Sequence, residues 1–184
     1  MLNTAWVILG TKDGHKMAVP NPWAAGNAWY VPEVRYVQDA DAEIASLREI
    51  NPKHTAVANE CFQDILGSSS EQDSTSFVVL KEYEANRLAY EATSTKGGVV
   101  VFSDIYYPGW SCTIDGKETP IARVNYVLRA IQVPAGKHSI VMSFYPKSVQ
   151  VTETIAYIAL ALLVVLTLIY GLVSLRRSRR GQSA

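Results

Sequence analysis

The residues whose types and spacing could do chemistry crowd into one segment, Phe102-Ser103-Asp104-Ile105-Tyr106-Tyr107-Pro108-Gly109-Trp110, followed by Ile114-Asp115-Gly116-Lys117. A serine, a carboxylate and two phenols within a few positions suggest nucleophilic or acid–base work. That work needs a base paired to the nucleophile, and no histidine stands at a recognisable spacing from Ser103. Packing explains the segment more simply: Tyr107 and Trp110 fill a core or seal the end of a sheet stack while Pro108-Gly109 turns the chain. The functional alternative is an aromatic patch that stacks on sugar or faces lipid. Period-two alternation back from Ile114 through Cys112 places Trp110 on the apolar side of its strand. Tyr106 and Tyr107 precede the turn and cannot both face inward, so one of them is the expected surface or acceptor contact.

Arg129 is the second unusual residue. It falls inside the apolar run Asn125-Tyr126-Val127-Leu128-Arg129-Ala130, where alternation sets it on the face of Val127, Ile131 and Val133. A charge there needs a partner, and Asp104 or Glu118 would serve; the other option is that it snorkels at an edge. A structural ion pair is the better explanation than a catalytic arginine. The other carboxylates have plain roles: Asp39, Asp41 and Glu43 suit a helix start, Asp13 a turn, and Asp115-Gly116-Lys117-Glu118 a solvated hairpin. Gly97-Gly98 marks a hairpin turn, not a phosphate-binding loop. His15, His54 and His138 have no ligand spacing with Cys61 or Cys112, so no metal and no cofactor is implied. Whether the two cysteines form a disulfide is left open.

These residues need elements to position them. Ala5–Leu9 and Lys16–Val19 read as strands about a turn at Thr11–Gly14, and Trp23–Pro32 reads as aromatic and turn-rich. Val34–Val37 is a strand. The spacing of Ile44, Leu47 and Ile50 predicts a helix of about ten residues, stopped before Pro52. A brief strand follows at Thr55–Val57, and Asp64–Gln72 reads as a loop. From Thr75 the period becomes two: strands are expected at Phe77–Leu80, Arg87–Thr93, Gly98–Ser103, Gly109–Ile114, near Thr119–Arg123, Val127–Val133 and His138–Tyr145. Short strands at tight spacing predict a mainly β fold, an antiparallel β-sandwich-like domain with a small α/β part before it.

Lys147–Thr152 is expected as a short link into Glu153–Leu175, whose Ile155–Leu175 stretch carries no charge and would rise about 31 Å as a helix, enough for one hydrocarbon core. Tyr157 and Tyr170 lie near its ends, where amphipathic rings suit the headgroup level, and Arg176, Arg177, Arg179 and Arg180 follow. The positive-inside rule places the C-terminus in the cytoplasm and residues 1–150 outside. The expected organisation is a small α/β segment at 1–72, a sandwich-like domain at 73–150, a transmembrane helix at 153–175 and a basic cytoplasmic tail at 176–184. The chain has 17 basic and 17 acidic residues, and four of the positive charges lie in that tail. The remainder is mildly acidic, a poor footprint for nucleic acid. The N-terminus lacks the basic and apolar regions of a signal peptide, which suggests that preceding helices of a longer polytopic protein export the domain.

Leu2-Asn3-Thr4 with Trp6-Val7-Ile8, Asn21-Pro22 with Gly26-Asn27-Ala28-Trp29, Tyr106-Tyr107-Pro108-Gly109-Trp110, Asn125 to Ala130, Val133-Pro134-Ala135-Gly136-Lys137-His138 and Phe144-Tyr145-Pro146 occur in an order and spacing that resemble the C-terminal part of the YfhO family of bacterial membrane proteins. The resemblance runs across essentially the whole chain. It implies a large polytopic protein similar to C-type glycosyltransferases, which use polyprenyl-phosphate-linked sugars on the outer face of the membrane. Some members are linked to glycosylation of cell-wall polymers such as lipoteichoic acid. Their acidic catalytic residues lie in an early extracytoplasmic loop that a chain with one span does not contain, so no catalytic residue carries over. The expected function is a non-catalytic accessory domain and last span in the bacterial cytoplasmic membrane. Its expected partners are the lipid bilayer, a multi-span membrane domain and a cell-envelope glycopolymer. The alternatives are a membrane-tethered carbohydrate- or polymer-binding sandwich, or a structural partner of other membrane proteins.

Overall fold

The computed structural model describes residues 1–10, 13–68 and 75–181, with residues 174–181 as backbone alone. Thr11 and Lys12 of the expected turn, the end of the expected Asp64–Gln72 loop, the arginine side chains of the tail and Gln182–Ala184 lie outside the described residues. The chain forms two compact units, Met1–Phe144 and Tyr145–Ala184.

In chain order the first unit contains β1 (Trp6–Gly10), β2 (Lys16–Pro20), β3 (Ala28–Val31), β4 (Glu33–Val37), α1 (Ala40–Ser46), β5 (Thr55–Asn59) and α2 (Gln63–Leu66). There follow β6 (Phe77–Tyr83), β7 (Arg87–Ser94), β8 (Gly98–Ile105), β9 (Trp110–Ile114), β10 (Lys117–Thr119), β11 (Ala122–Val124), β12 (Leu128–Val133) and β13 (Gly136–Phe144). A five-stranded sheet runs β10-β9-β13-β7-β6 and a six-stranded sheet β3-β8-β12-β11-β5-β4, while β1 and β2 pair only with each other. Pairing is antiparallel throughout except between β4 and β5. The expected mixed fold, dominated by a β-sandwich, is present.

Burial shows why these strands take these places. In β7 alternate residues Leu88, Tyr90, Ala92 and Ser94 are buried, the mark of a sheet covered on one face. In β8 Gly98 to Phe102 are all buried, so this strand is covered on both. Val100 and Phe102 meet Leu88, Tyr90, Ile140 and Met142 of the facing sheet. Val99 and Val101 join Trp29, Val34 and Leu66 in a second core on the opposite side. Because β3, β4 and β5 share the six-stranded sheet with β8, β11 and β12, residues before and after 72 belong to one sheet and one unit.

Several local expectations change. β3 occupies the supposedly turn-rich Trp23–Pro32 stretch, since it pairs with β8 and buries Ala28, Trp29 and Val31. The segment expected as one strand near Thr119–Arg123 is two, broken at Pro120-Ile121, because β10 belongs to one sheet and β11 to the other. Gln63–Leu66 is a short helix, not a loop, and Leu66 is fully buried. Val127 precedes β12 and packs in the second core, away from the Arg129 face; a register shift between Leu128 and Arg129 breaks the alternation. Cys61 and Cys112 are both free, one exposed and one buried.

Helix α1 departs most. It has 7 residues, and it buries Glu43 while leaving Ile44 42% exposed. Asp39 caps it, accepting from the Ala42 N–H at 2.8 Å. Glu43 is no cap. Its carboxylate accepts from Arg123 Nη2 at 3.1 Å and from the Tyr126 N–H at 2.7 Å, which decides the face that α1 buries.

The second unit is dominated by α3 (Lys147–Gly181), a single helix of 35 residues. It begins at Lys147, so the expected link is helical; Pro146 opens its first turn by accepting from Val149 and Gln150. Lys147–Val173 is long and apolar enough to cross a membrane, and α3 is consistent with one transmembrane span. Its apolar side chains are exposed around the helix.

Candidate functional site

Strand β8 delivers Asp104, the loop that follows delivers Tyr106 and Tyr107, and β9 starts with Trp110. The turn is shaped by Gly109, whose φ of 107° lies in the left-handed region that a side chain avoids. Across the sheet β12 supplies Arg129, paired in register with Phe102. The Arg129 side chain is 3% exposed, with Nη2 3.3 Å from Asp104 Oδ2 and Nη1 3.4 Å from Met142 Sδ. Its guanidinium carbon lies 4.1 Å from the centroid of the Trp110 ring, a cation–π stack. Its Nε is buried without a partner among the described residues.

Burial depresses the pKa of Arg129 and the Asp104 carboxylate opposes that shift. Tyr90, whose hydroxyl is 3.3 Å from Asp104, is pushed up, first by burial and then by the same carboxylate. The Cys112 thiol beside them is pushed up to about 12, mainly by burial. A thiol held so far from its thiolate is not a nucleophile at neutral pH.

The aromatic residues divide by exposure. Trp110 is half-buried and packs on the core between the sheets; its ring centroid is 5.2 Å from that of Phe144. Tyr106 is half-buried, its ring edge-on to Phe62 at 6.4 Å and its N–H donating to Val127. Tyr107 is 61% exposed and tilts over Phe144 at 6.1 Å. Together Tyr106, Tyr107, Trp110, Glu118, Pro120 and Arg129 help line an open cleft of about 580 Å³, a size usual for small-molecule sites. Glu118, the other candidate partner for Arg129, lines this cleft while Asp104 makes the ion pair.

The other residues serve the frame. Ser103 donates from Oγ to the Asn27 carbonyl at 3.1 Å. Gly97 has a φ of +73°, and a Cβ there would stand 2.7 Å from the Val133 carbonyl oxygen, so the hairpin needs glycine. His138 Nδ1 is 2.6 Å from Asp115 Oδ2, and Asp115 Oδ1 accepts from the Ser139 N–H at 2.8 Å. Two turns are thereby joined. The hydrogen bond to Asp115 raises the His138 pKa, while the hydrogen bond from His138 lowers that of Asp115. Spacing gave no sign of this pair, since 23 residues separate its members, nor of the Glu43–Arg123 pair. Among the described residues no group of three or more His, Cys, Asp or Glu could hold a metal ion.

A two-sheet domain with an open aromatic cleft, followed by an apolar helix of spanning length, is consistent with a membrane-anchored module. The family model described as "Bacterial membrane protein YfhO" matches residues 57–156, and the chain belongs to that family. No curated protein and no solved structure matches it.

Proposed function

We propose that this chain is the C-terminal extracytoplasmic domain and last span of a YfhO-type membrane protein, accessory to the transfer of sugars from polyprenyl-phosphate donors to cell-envelope polymers. The domain's share of that work is to hold acceptor glycan in the Tyr107–Trp110 cleft, and the multi-span part of such a protein carries the catalysis. One observation carries this reading: an exposed tyrosine ring and a half-buried tryptophan border a solvent-open cleft that also contains carboxylate and guanidinium groups. Aromatic faces stack on the C–H faces of sugar rings while charged groups bind their hydroxyls. Charge narrows the ligand. Asp104 already neutralises Arg129, and Glu118 adds a carboxylate, so uncharged sugar rings suit the cleft better than phosphate-rich polymer.

Calorimetric titration of the full chain in micelles with neutral oligosaccharides tests this. Tyr107→Ala should weaken binding roughly fivefold, the equivalent of about 1 kcal/mol for one aromatic contact. Its melting temperature should barely change, because truncation at an exposed site usually costs under about 0.5 kcal/mol. Equal affinity in wild type and variant, or no binding by any neutral glycan, overturns the assignment.

A further inference from the structure

The β1–β2 ribbon lies apart from both large sheets and has no core of its own. Its register pairs Trp6 with Pro20 and Ile8 with Ala18, while Val7 pairs with Val19 and Leu9 with Met17. Alternation therefore puts Trp6 and Ile8 on one face, and Val7, Leu9 and Met17 on the other. Both faces are apolar, and both are open: Trp6 is 60% exposed, Ile8 70% and Met17 54%. Lys16 is the only charged residue in the two strands. A solitary two-stranded ribbon is marginal in water, and this one adds a large apolar surface of the kind that marks an interaction site.

Three features indicate what covers it. Asn21 ties down the ribbon's base, donating from its N–H to Ala5 and from Nδ2 to Thr4. Asn3 donates from Nδ2 to Asn27, which in turn accepts from the Ser103 N–H. Leu2, just ahead of the ribbon, shares a cleft with Ile105, Tyr107 and Phe144, so the ribbon leaves the sandwich at the end where β13 finishes. Only Tyr145 and Pro146 separate Phe144 from α3, and two residues span at most about 7 Å. That end of the sandwich is thus the end joined to α3 through the chain. Exposed Trp6 and Trp23 are of the type enriched at headgroup level. A protein groove would cover one face of a ribbon; the headgroup–acyl boundary can embrace both and still leave water to the unpaired strand edges, which the hydrocarbon core would not.

We infer that the β1–β2 ribbon is a membrane-interface anchor that lies in the headgroup–acyl boundary of the bilayer. Spin labels test this in the full chain, reconstituted into phosphatidylcholine–phosphatidylglycerol vesicles. Val7→Cys and Ile8→Cys, each made in a Cys61→Ser background, report the two faces. Lys137→Cys, at the opposite end of β13, serves as the aqueous reference. At both ribbon positions molecular oxygen should relax the label more than a water-soluble nickel chelate does, and the order should reverse at position 137. Bromine-labelled lipid should also quench tryptophan emission, and Trp6→Phe with Trp23→Phe should remove most of that quenching. Nickel access at positions 7 and 8 equal to that at 137 overturns the anchor. So does protection of one face from both reagents, which would mean that protein covers the ribbon.

Discussion

Arg129 is tolerated inside the sandwich because one side chain meets three needs of a buried cation: a carboxylate, an aromatic face and close packing. Asp104 is partly open to solvent while Arg129 is almost closed off, so the two ends of the pair respond differently to loss. Asp104→Asn leaves a buried guanidinium without a counter-charge and should cost about 3–5 kcal/mol. Arg129→Met fills similar volume, leaves the carboxylate access to water and should cost less. Urea denaturation of the two variants fixes the order, and a greater loss for Arg129→Met would show that the stack on Trp110 outweighs charge compensation. The His138–Asp115 pair gives a pH signature instead. Its histidine pKa is raised on folding, so that contribution is complete below about pH 6.5 and fades as pH climbs through the raised value. Its carboxylate pKa is lowered, so that contribution is complete above about pH 4 and fades as pH falls through the lowered value. Thermal melts should therefore show the pair's benefit greatest between about pH 4 and 6.5. Asp115→Asn, which keeps a turn-compatible residue, should flatten the decline above pH 6.5; an unchanged profile would place the pH dependence elsewhere.

Helix α1 reverses the usual economy of an amphipathic helix, with its carboxylate inside and its isoleucine outside. Asn125 contributes to this geometry, because its Oδ1 accepts from the Val57 N–H at 2.8 Å and its own N–H donates to the Val57 carbonyl. It thereby holds the β11–β12 turn against β5. The next residue, Tyr126, then presents its N–H to Glu43 with a φ of 70°. Removal of the Glu43 carboxylate abandons both that N–H and Arg123. Glu43→Ala should accordingly cost about 2–4 kcal/mol, whereas Ile44→Ser should stay within about 0.5 kcal/mol. Denaturation midpoints of the two variants decide the matter, and a larger loss for Ile44→Ser would restore the amphipathic reading of α1.

At the scale of the whole molecule, the proposal that the domain faces outward and the tail faces the cytoplasm rests on the four arginines behind Leu175. Cys61 is exposed and native, which makes it a ready reporter. In intact cells a membrane-impermeant maleimide should label Cys61 but fail to label Ser183→Cys until the membrane is opened. Labelling at position 183 before permeabilisation would reverse the topology.

What the sequence by itself determined is whatever depends on neighbours along the chain. The uncharged run from Ile155 needs only its own composition to suit a bilayer. The Asp115-Gly116 turn needs only residues that accept positive φ, 50° and 80° here. Most strands from Phe77 onward show in their apolar pattern, and a buried Arg129 announces that it needs a carboxylate. Tertiary structure decided the matters that depend on distant partners. Trp23–Pro32 looks irregular because glycine, asparagine and proline surround β3, which exists through its pairing with β8. Residues on either side of 72 form one unit because β5 and β11 meet edge to edge. The inward face of α1 follows from an arginine 80 residues away, and no periodicity within a helix can report a charge that far along the chain.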